Sequence, residues 1–377
     1  FIGYHHHRTG DRSAAEQALD QSDRIAAEHG LRQSEFISHC FRSYHATSWW
    51  DANEGARALE GIGAAVSDAT PMLGAQFHNA TLFVEMLRGN GPAAERHARL
   101  AVAAANRLGA PFFTVSWMSY AAGGLAMNGA FDEAGQWLDT AWAHSDNGFL
   151  VTYRPAILAT RAWVAMLRGR RDIARDHLRH MFSIGHDLQA LAYLRNCPLI
   201  KDAVLAEALE ARIEVPLARQ LIRKFRIPAP PRDIEGWPWP VRVRTLGTFR
   251  IEVDDEPLTF GRKTPRKPIA LLAALIAFGG RHVPEQKLVD ALWTDDEGDS
   301  AGEAFAVSLY RLRKLLVHPD VVQFADGLVS LDPAQVWVDT WAFDRAVADA
   351  ERSDDEGAHR APDRRRAPPA GARRSSG

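Results

Sequence analysis

The chain has 377 residues, a net charge of −2 from 45 Lys and Arg against 47 Asp and Glu, and a hydrophobic fraction of 46%. With 24% charged residues, this balance is typical of a soluble globular protein and excludes a chain that is disordered throughout. At roughly 100 to 200 residues per domain, we expect two or three domains.

Cysteine usage and hydropathy exclude two further classes. Cys40 and Cys197 lie far apart and form no C-x-x-C pair, so we expect neither a disulfide scaffold nor a thiolate zinc site, and a reducing, cytoplasmic setting fits best. The most apolar run, residues 269–278, is bounded by charged residues and is shorter than the ~20 residues that a membrane span needs. We therefore expect no membrane-integral segment. The chain opens on Phe1 without a signal segment, and we interpret it as a fragment of a larger protein.

The first part of the chain carries an internal repeat. Segments that begin at Gly89, Gly129 and Gly169 lie 40 residues apart, and weaker copies begin near Gly10 and Asp51. One small residue recurs in each unit, where it would let two helices approach closely: Ala15, Ala56, Ala94, Ala134 and Ala174.

A second helical pattern precedes the repeated glycine, over residues 76–87, 113–127 and 155–167. Two helices per unit predict an α-solenoid, in which stacked neighbours supply the core and leave a concave surface free. The units resemble the tetratricopeptide-like repeats of MalT-like bacterial regulators, with a period longer than the usual length of about 34 residues. The tryptophans of this region are interpreted as helix-packing core, with the lining of a ligand groove as the alternative: Trp49, Trp50, Trp117, Trp137, Trp142 and Trp163.

The helical pattern ends in a proline-rich stretch. Residues 225–241 contain five prolines, which remove amide donors and forbid a continued helix. We therefore place a linker at 227–240, between a helical repeat domain at 1–226 and a second domain at 241–334. The second domain opens with VRVRTLGTFRIEV and PLTF, whose alternation predicts a small antiparallel sheet.

Three helices are expected next, over residues 268–278, 284–293 and 301–316. Pro284 is expected at the first position of the second helix. Ser300 and Glu303 have the capping-box spacing, which predicts that Ser300 is the N-cap of the third helix.

A hairpin and a tail complete the predicted elements. VVQFADGLVSL, residues 321–331, predicts two strands joined at Asp326 and Gly327. Residues 354–377 are rich in Arg and hold no large apolar residue, so we expect a disordered basic tail.

Strands, three helices and a hairpin occur in the order of a winged helix, and the residues resemble the OmpR/PhoB-type DNA-binding domain of SARP-type transcriptional activators. The resemblance rests on LGTFRIEVDDEPL, RKPIALLAALIAFGGRHVPEQKLVDALW and SLYRLRKLL. VWVDTWAFDRAV, within residues 335–353, resembles the start of the bacterial transcriptional activator domain. Three features depart from the family pattern: Thr294, a wing without Lys or Arg, and a short activator region. The fold class expected is mainly α, an α-solenoid followed by a winged helix.

The predicted third helix supplies candidate DNA-binding residues. On a helical wheel its core stripe consists of Phe305, Leu309, Leu312 and Leu316. The remaining side chains are expected to face DNA, with Val307, Tyr310 and Arg311 near bases and Arg313 and Lys314 near phosphates. A basic cluster before the first helix is the second candidate: Arg262, Lys263, Arg266 and Lys267.

The charge of the second domain keeps a plainer interpretation open, in which the basic face of the third helix is only a solvated surface. Residues 241–345 hold 13 basic and 16 acidic side chains, whereas most DNA-binding domains are basic. Binding would then need dimerisation or the basic tail.

His5, His6 and His7 have no matched carboxylate or cysteine, and we expect them in an exposed loop rather than in a metal site.

The resulting hypothesis is a cytoplasmic, nucleoid-associated transcriptional regulator that performs no chemistry and needs no cofactor. No phosphate-binding G-x-x-x-x-G-K-[ST] motif and no nucleophile-base pair occurs. The expected partners are promoter DNA, RNA polymerase and a protein or small-molecule effector on the repeats, with self-association as a further possibility. The alternative is a protein-interaction scaffold whose winged helix no longer binds DNA.

Overall fold

The computed structural model describes residues 2–67, 70–146, 148–196, 198–230, 234–259, 265–294 and 298–360. Over these residues the protein is mainly α-helical, as the sequence predicts, with 16 α-helices and seven short strands. The chain divides into two compact units, Phe1–Pro228 with Ile234–Pro238 and Ala229–Asp233 with Trp239–Gly377.

The first unit consists of helices joined by short turns. Its helices are α1 Ile2–Thr9, α2 Arg12–Glu28, α3 Arg32–Ser48, α4 Ala52–Ala58, α5 Pro71–Leu87, α6 Gly91–Arg107, α7 Pro111–Met127, α8 Phe131–Ala143, α9 Arg154–Leu167, α10 Arg171–Ile184, α11 Pro198–Glu210 and α12 Val215–Phe225. Neighbouring helices pack against each other, and α3, α5, α7 and α9 also contact one another in turn. The predicted helices 76–87, 113–127 and 155–167 end as expected but begin earlier, because prolines occupy the first turns of α5, α7 and α9.

The repeat is visible in the backbone. The residues that precede α2, α4, α6, α8 and α10 by two positions all have positive φ, namely Gly10, Trp50, Gly89, Gly129 and Gly169. Glycine adopts positive φ without steric cost. This repeated backbone conformation explains why glycine recurs at the same place in four of the five repeats. Trp50, with φ 63°, adopts it in the second repeat although it carries a large side chain.

The recurring small residue sits at the same place in each repeat, four residues after the N-cap. Its amide donates to the carbonyl of the N-cap residue at Ala15, Gly55, Ala94, Ala134 and Ala174. The prediction of Ala56 for the second repeat is therefore wrong by one residue. Ala56 itself is only half-buried. Gly55 is required because a Cβ there would lie 2.9 Å from Thr47 Cγ2.

Two further expectations for this unit are corrected. His5, His6 and His7 lie in α1 rather than in an exposed loop, and His7 is buried, with its Nε2 3.2 Å from Asn196 Oδ1. The expected free concave surface is partly covered by later segments of the unit. The 3₁₀ turn Ala192–Asn196 contacts α1, α3 and α9, and α11 contacts α5 and α9, because these segments carry apolar side chains that become buried.

The predicted linker at 227–240 is not a solvated spacer. Residues 234–238 belong to the first compact unit and residues 229–230 to the second. Ile227, Ile234 and Trp237 are buried. These apolar side chains hold the proline-rich segment against protein rather than in water.

The described residues of the second unit form two small sheets and four α-helices. Its strands are β1 Val241–Arg244, β2 Arg250–Val253, β3 Glu256–Pro257, β4 Val283–Pro284, β5 Val322–Ala325, β6 Leu328–Leu331 and β7 Val336–Val338. Its helices are α13 Arg266–Ala277, α14 Glu285–Leu292, α15 Gly298–Leu315 and α16 Asp339–Arg360. One sheet has the order β3-β2-β1-β7, in which β7 runs parallel to β1, and the other has the order β4-β6-β5.

One apolar core joins these elements. Val241 and Val243 of β1 and Leu271 and Leu275 of α13 belong to it. Phe305, Leu309, Leu312 and Leu316 are all buried in this core, which confirms the predicted stripe. The predicted hairpin is also confirmed, since β5 and β6 pair in antiparallel register around a turn in which Asp326 and Gly327 both have positive φ.

Three local predictions for this unit are wrong. α15 begins at Gly298, so Ser300 lies inside its first turn and is not the N-cap. Pro284 precedes α14, because its backbone is extended at ψ 135° and pairs within β4. α16 continues to Arg360, so residues 354–360 are helical rather than part of a disordered tail. Residues 361–377 lie outside the described residues.

Candidate nucleic-acid interface

The predicted recognition helix, α15, has two faces of opposite character. Its buried stripe fixes the helix in the core of the second unit, so the opposite face must point to solvent. On that face Tyr310 is 67% exposed and Val307 is 47% exposed. Large side chains that stay in water on a well-anchored helix are available for a partner.

Two cations flank these side chains. Arg311 and Lys314 are both exposed, and within the described residues neither forms an ion pair with a carboxylate. Glu303, also exposed, lies on the same helix one turn before Val307. The exposed face of α15 therefore combines two unpaired cations, an aromatic ring and one carboxylate. Ala306 is also exposed and belongs to this face. The sequence did not indicate it as a candidate, because a single alanine carries no distinctive chemistry.

Arg313 lies apart from this set. Its side chain is half-buried, and its Nε donates a hydrogen bond of 2.9 Å to the carbonyl of Val322 at the start of β5. The guanidinium therefore joins the end of α15 to the hairpin. Such a bond positions the hairpin relative to the helix, which is a different task from the phosphate contact predicted from sequence.

The second predicted cluster is only partly within the described residues. Arg262 and Lys263 lie outside them. Arg266, at the start of α13, is exposed. Lys267 donates from Nζ to the carbonyl of Leu292 and lies 4.9 Å from the ring centroid of Trp293. Lys267 therefore satisfies a free carbonyl at the end of α14, as basic side chains commonly do at helix C-termini.

The hairpin offers no cation between Val322 and Leu331. Its exposed side chains include Gln323 and Phe324, and Phe324 is 40% exposed with its ring 5.8 Å from that of Phe305. The hairpin therefore presents an apolar and amide-bearing edge.

Strand β1 is tied to α16 by one carboxylate. Asp339 accepts hydrogen bonds from the amides of Thr245 and Leu246 at 2.8–2.9 Å and from the Thr245 hydroxyl. Partial burial alone would raise the pKa of Asp339, but these hydrogen bonds outweigh it and hold the pKa below its usual value. The ionised carboxylate is thus part of the frame that supports the exposed helix.

Two other classes of site find no support in the part of the chain that the structure describes. Among the described residues, no group of three or more His, Cys, Asp or Glu side chains is arranged to hold a metal ion. None of the described helices has both the length and the apolarity that crossing a membrane requires. Comparison with known proteins returned no matching family model, no similar curated protein and no similar solved structure.

Proposed function

We propose that this chain is a SARP-type transcriptional regulator whose second unit is a winged helix that binds promoter DNA. The proposal is supported by the order of elements, in which α13, α14 and α15 lie between an N-terminal sheet and the β5–β6 hairpin. The observation that carries it is the exposed face of α15, where Tyr310, Arg311 and Lys314 project from a helix anchored by its buried stripe. This arrangement suits insertion of α15 into the major groove.

Each exposed side chain has a distinct task in this proposal. Arg311 donates to guanine acceptors, and Val307 and Tyr310 contact base edges and thymine methyl groups. Lys314 binds phosphate. Arg313 holds the hairpin through Val322, so its replacement would disturb the fold and is not a clean test of DNA contact.

The helical unit is proposed to be a tetratricopeptide-like sensor of the MalT-like kind. Its support is the 40-residue recurrence of the positive-φ residue and of the buried small residue four positions after each N-cap. Helical repeats of this type bind effectors or partner proteins on their inner surface. Binding to RNA polymerase and a cytoplasmic location are proposed on the basis of the regulator class.

Selection of bound sites from random DNA tests the proposal. We expect one sequence to be enriched, and Arg311→Ala to weaken binding to that sequence by about 1 to 3 kcal/mol while relaxing the choice at one base. Lys314→Ala should weaken all sequences alike and reduce the slope of log K against log salt by about one. Arg250→Ala, an exposed arginine on β2, is the matched control and should bind as the parent does. Circular dichroism must show that each variant is folded.

A second candidate function is a protein-docking scaffold. It is favoured by the absence of Lys and Arg from the hairpin, by the exposed Phe324 and by the net charge of the domain. If no sequence is enriched and Arg311→Ala binds DNA as the parent does, the DNA-binding proposal fails and this candidate replaces it.

A further inference from the structure

A cavity of about 860 Å³ lies within the helical unit. Helices α1, α2, α3, α5 and α7 form most of its wall, and Tyr153 and Asn196 complete it. Cavities of roughly 300 to 1,000 Å³ are the size that binds small organic molecules. This cavity is therefore large enough for a ligand of several rings.

Aromatic rings form a continuous wall. Phe41, Tyr44, Phe83 and Tyr120 line the cavity, and successive ring centroids in this series are 5.8, 5.8 and 5.9 Å apart. A second group, Phe112, Phe113 and Trp117, has successive centroids 5.2 and 5.0 Å apart. Trp117 is buried between helices, as the core-packing interpretation predicts, and it also lines this cavity. Such walls favour aromatic ligands through edge and face contacts.

The polar groups of the wall are arranged unevenly. Tyr44 Oη donates to the carbonyl of Gln76 at 2.9 Å and accepts from Asn79 Nδ2 at 3.2 Å. Asn196 Nδ2 donates to Tyr120 Oη at 3.2 Å. Two buried lining atoms have no hydrogen-bond partner among the described residues, namely Asn79 Oδ1 and Ser38 Oγ.

The charge of the lining indicates the class of ligand. Asn79 Oδ1 and Ser38 Oγ are covered by neighbouring atoms, so a molecule in the cavity does not contact them. Among the described side chains of the lining, none carries a formal charge. Because an ion without a counter-charge is strongly disfavoured in such a site, the complementary ligand is neutral.

We propose that this cavity binds a neutral aromatic or polycyclic molecule. This inference goes beyond DNA binding and is tested without DNA, so either proposal can fail while the other stands.

A pair of fluorescent probes tests the preference for a neutral ligand. N-phenyl-1-naphthylamine is neutral, and 8-anilino-1-naphthalenesulfonate has the same ring system with a sulfonate added. The full chain should bind one molecule of the neutral probe, with at least about tenfold higher affinity than the sulfonate, because the cavity offers no counter-charge. Absence of binding, or equal affinity for both probes, overturns the proposal.

Cavity-filling variants locate the bound probe. Ser116→Phe places a ring in the cavity from α7, and Ile37→Phe does so from α3. Each should abolish binding of N-phenyl-1-naphthylamine. Ser183→Phe, on the exposed surface of α10, is the matched control and should bind like the parent. If one filling variant fails to fold by circular dichroism, the other decides. A folded filling variant that binds the probe normally overturns the location.

Discussion

The two units of this protein bury different kinds of side chain. The helical unit buries ionisable groups, among them His7, His45, Arg195, Lys201 and Glu207. Among the described residues of the second unit, Ser308 is the single buried polar residue, and the rest of the buried core is apolar. Buried charges and unprotonated histidines cost stability that depends on pH, whereas apolar cores depend on packed volume. Stability should therefore respond to different changes in the two units.

The largest effect is expected from an emptied core position in the second unit. Phe305 is 1% exposed and lies between the rings of Trp293 and Phe324. Phe305→Ala should lower the free energy of unfolding of this unit by about 3 to 5 kcal/mol, through lost burial and a residual cavity. Urea unfolding followed by circular dichroism measures the loss. Tyr310→Ala, an exposed aromatic position on the same helix, should change the value by less than about 0.5 kcal/mol. Equal losses in both variants would contradict the burial of Phe305.

The helical unit should instead be sensitive to mild acid. Burial lowers the pKa of His45 to about 4, although the Glu16 carboxylate, 3.5 Å from Nε2, opposes this shift. Burial also holds the pKa of His7 well below its usual value. The unfolded chain thus binds a proton near pH 6.5 that folded His45 binds only near pH 4. Since the unfolded state binds more protons between these values, stability must fall as the pH falls from 6.5 to 4, by about 2 to 3 kcal/mol for His45.

Urea unfolding at a series of pH values checks this dependence. His45→Phe should reduce the fall between pH 6.5 and 4. His29→Phe, at an exposed position, should leave the pH dependence of the parent unchanged. Stability of the helical unit that does not vary over this range would rule out a neutral, buried His45.

Replacing a buried arginine of the helical unit should raise the free energy of unfolding, whereas Phe305→Ala should lower it in the second unit. Arg195 is fully buried, its guanidinium has no hydrogen-bond acceptor among the described residues, and its carbon Cζ lies 4.3 Å from the ring centroid of Trp49. Burial lowers its pKa to about 10. Arg195→Met keeps the length and removes the charge, so we expect stability to rise by about 1 to 3 kcal/mol. Thermal and urea unfolding measure this rise, with the exposed Arg212→Met as control. A destabilised Arg195→Met would mean that the cation interacts more favourably with the Trp49 ring than its burial costs.

The smallest effect is expected at Ser300. If Ser300 were the N-cap, Ser300→Ala would cost about 0.5 to 2 kcal/mol. Because α15 begins at Gly298 and Ser300 is an exposed residue of its first turn, we expect a change below about 0.5 kcal/mol. If urea unfolding shows that Ser300→Ala lowers the free energy of unfolding by more than about 1 kcal/mol, Ser300 is the N-cap and the helix begins after it.

Much of the candidate interface follows from the sequence of α15 alone. The spacing of Phe305, Leu309 and Leu312 determines which face is buried, and therefore that Tyr310 and Lys314 are exposed. The contacts of Arg313 with Val322 and of Lys267 with Leu292 were not predictable, because each joins elements whose distance depends on the packed core.

The sequence by itself determined the features that depend on local chemistry. Gly89, Gly129 and Gly169 recur 40 residues apart at positive φ, and the Asp326-Gly327 turn directs a hairpin, because few other residues adopt these backbone angles at low cost. Tertiary structure decided which small residue is needed in the second repeat, since the close approach of Thr47 and Val84 requires glycine at position 55.

Tertiary structure also decided the cavity and the buried charges. His7 lies against Asn196, 189 residues later in the chain, and Tyr44 and Asn79 meet from different helices. A side chain's ionisation and its missing hydrogen-bond partner depend on every segment packed around it. No periodicity within one segment contains that information, whereas helix faces and turns are set by residues a few positions apart.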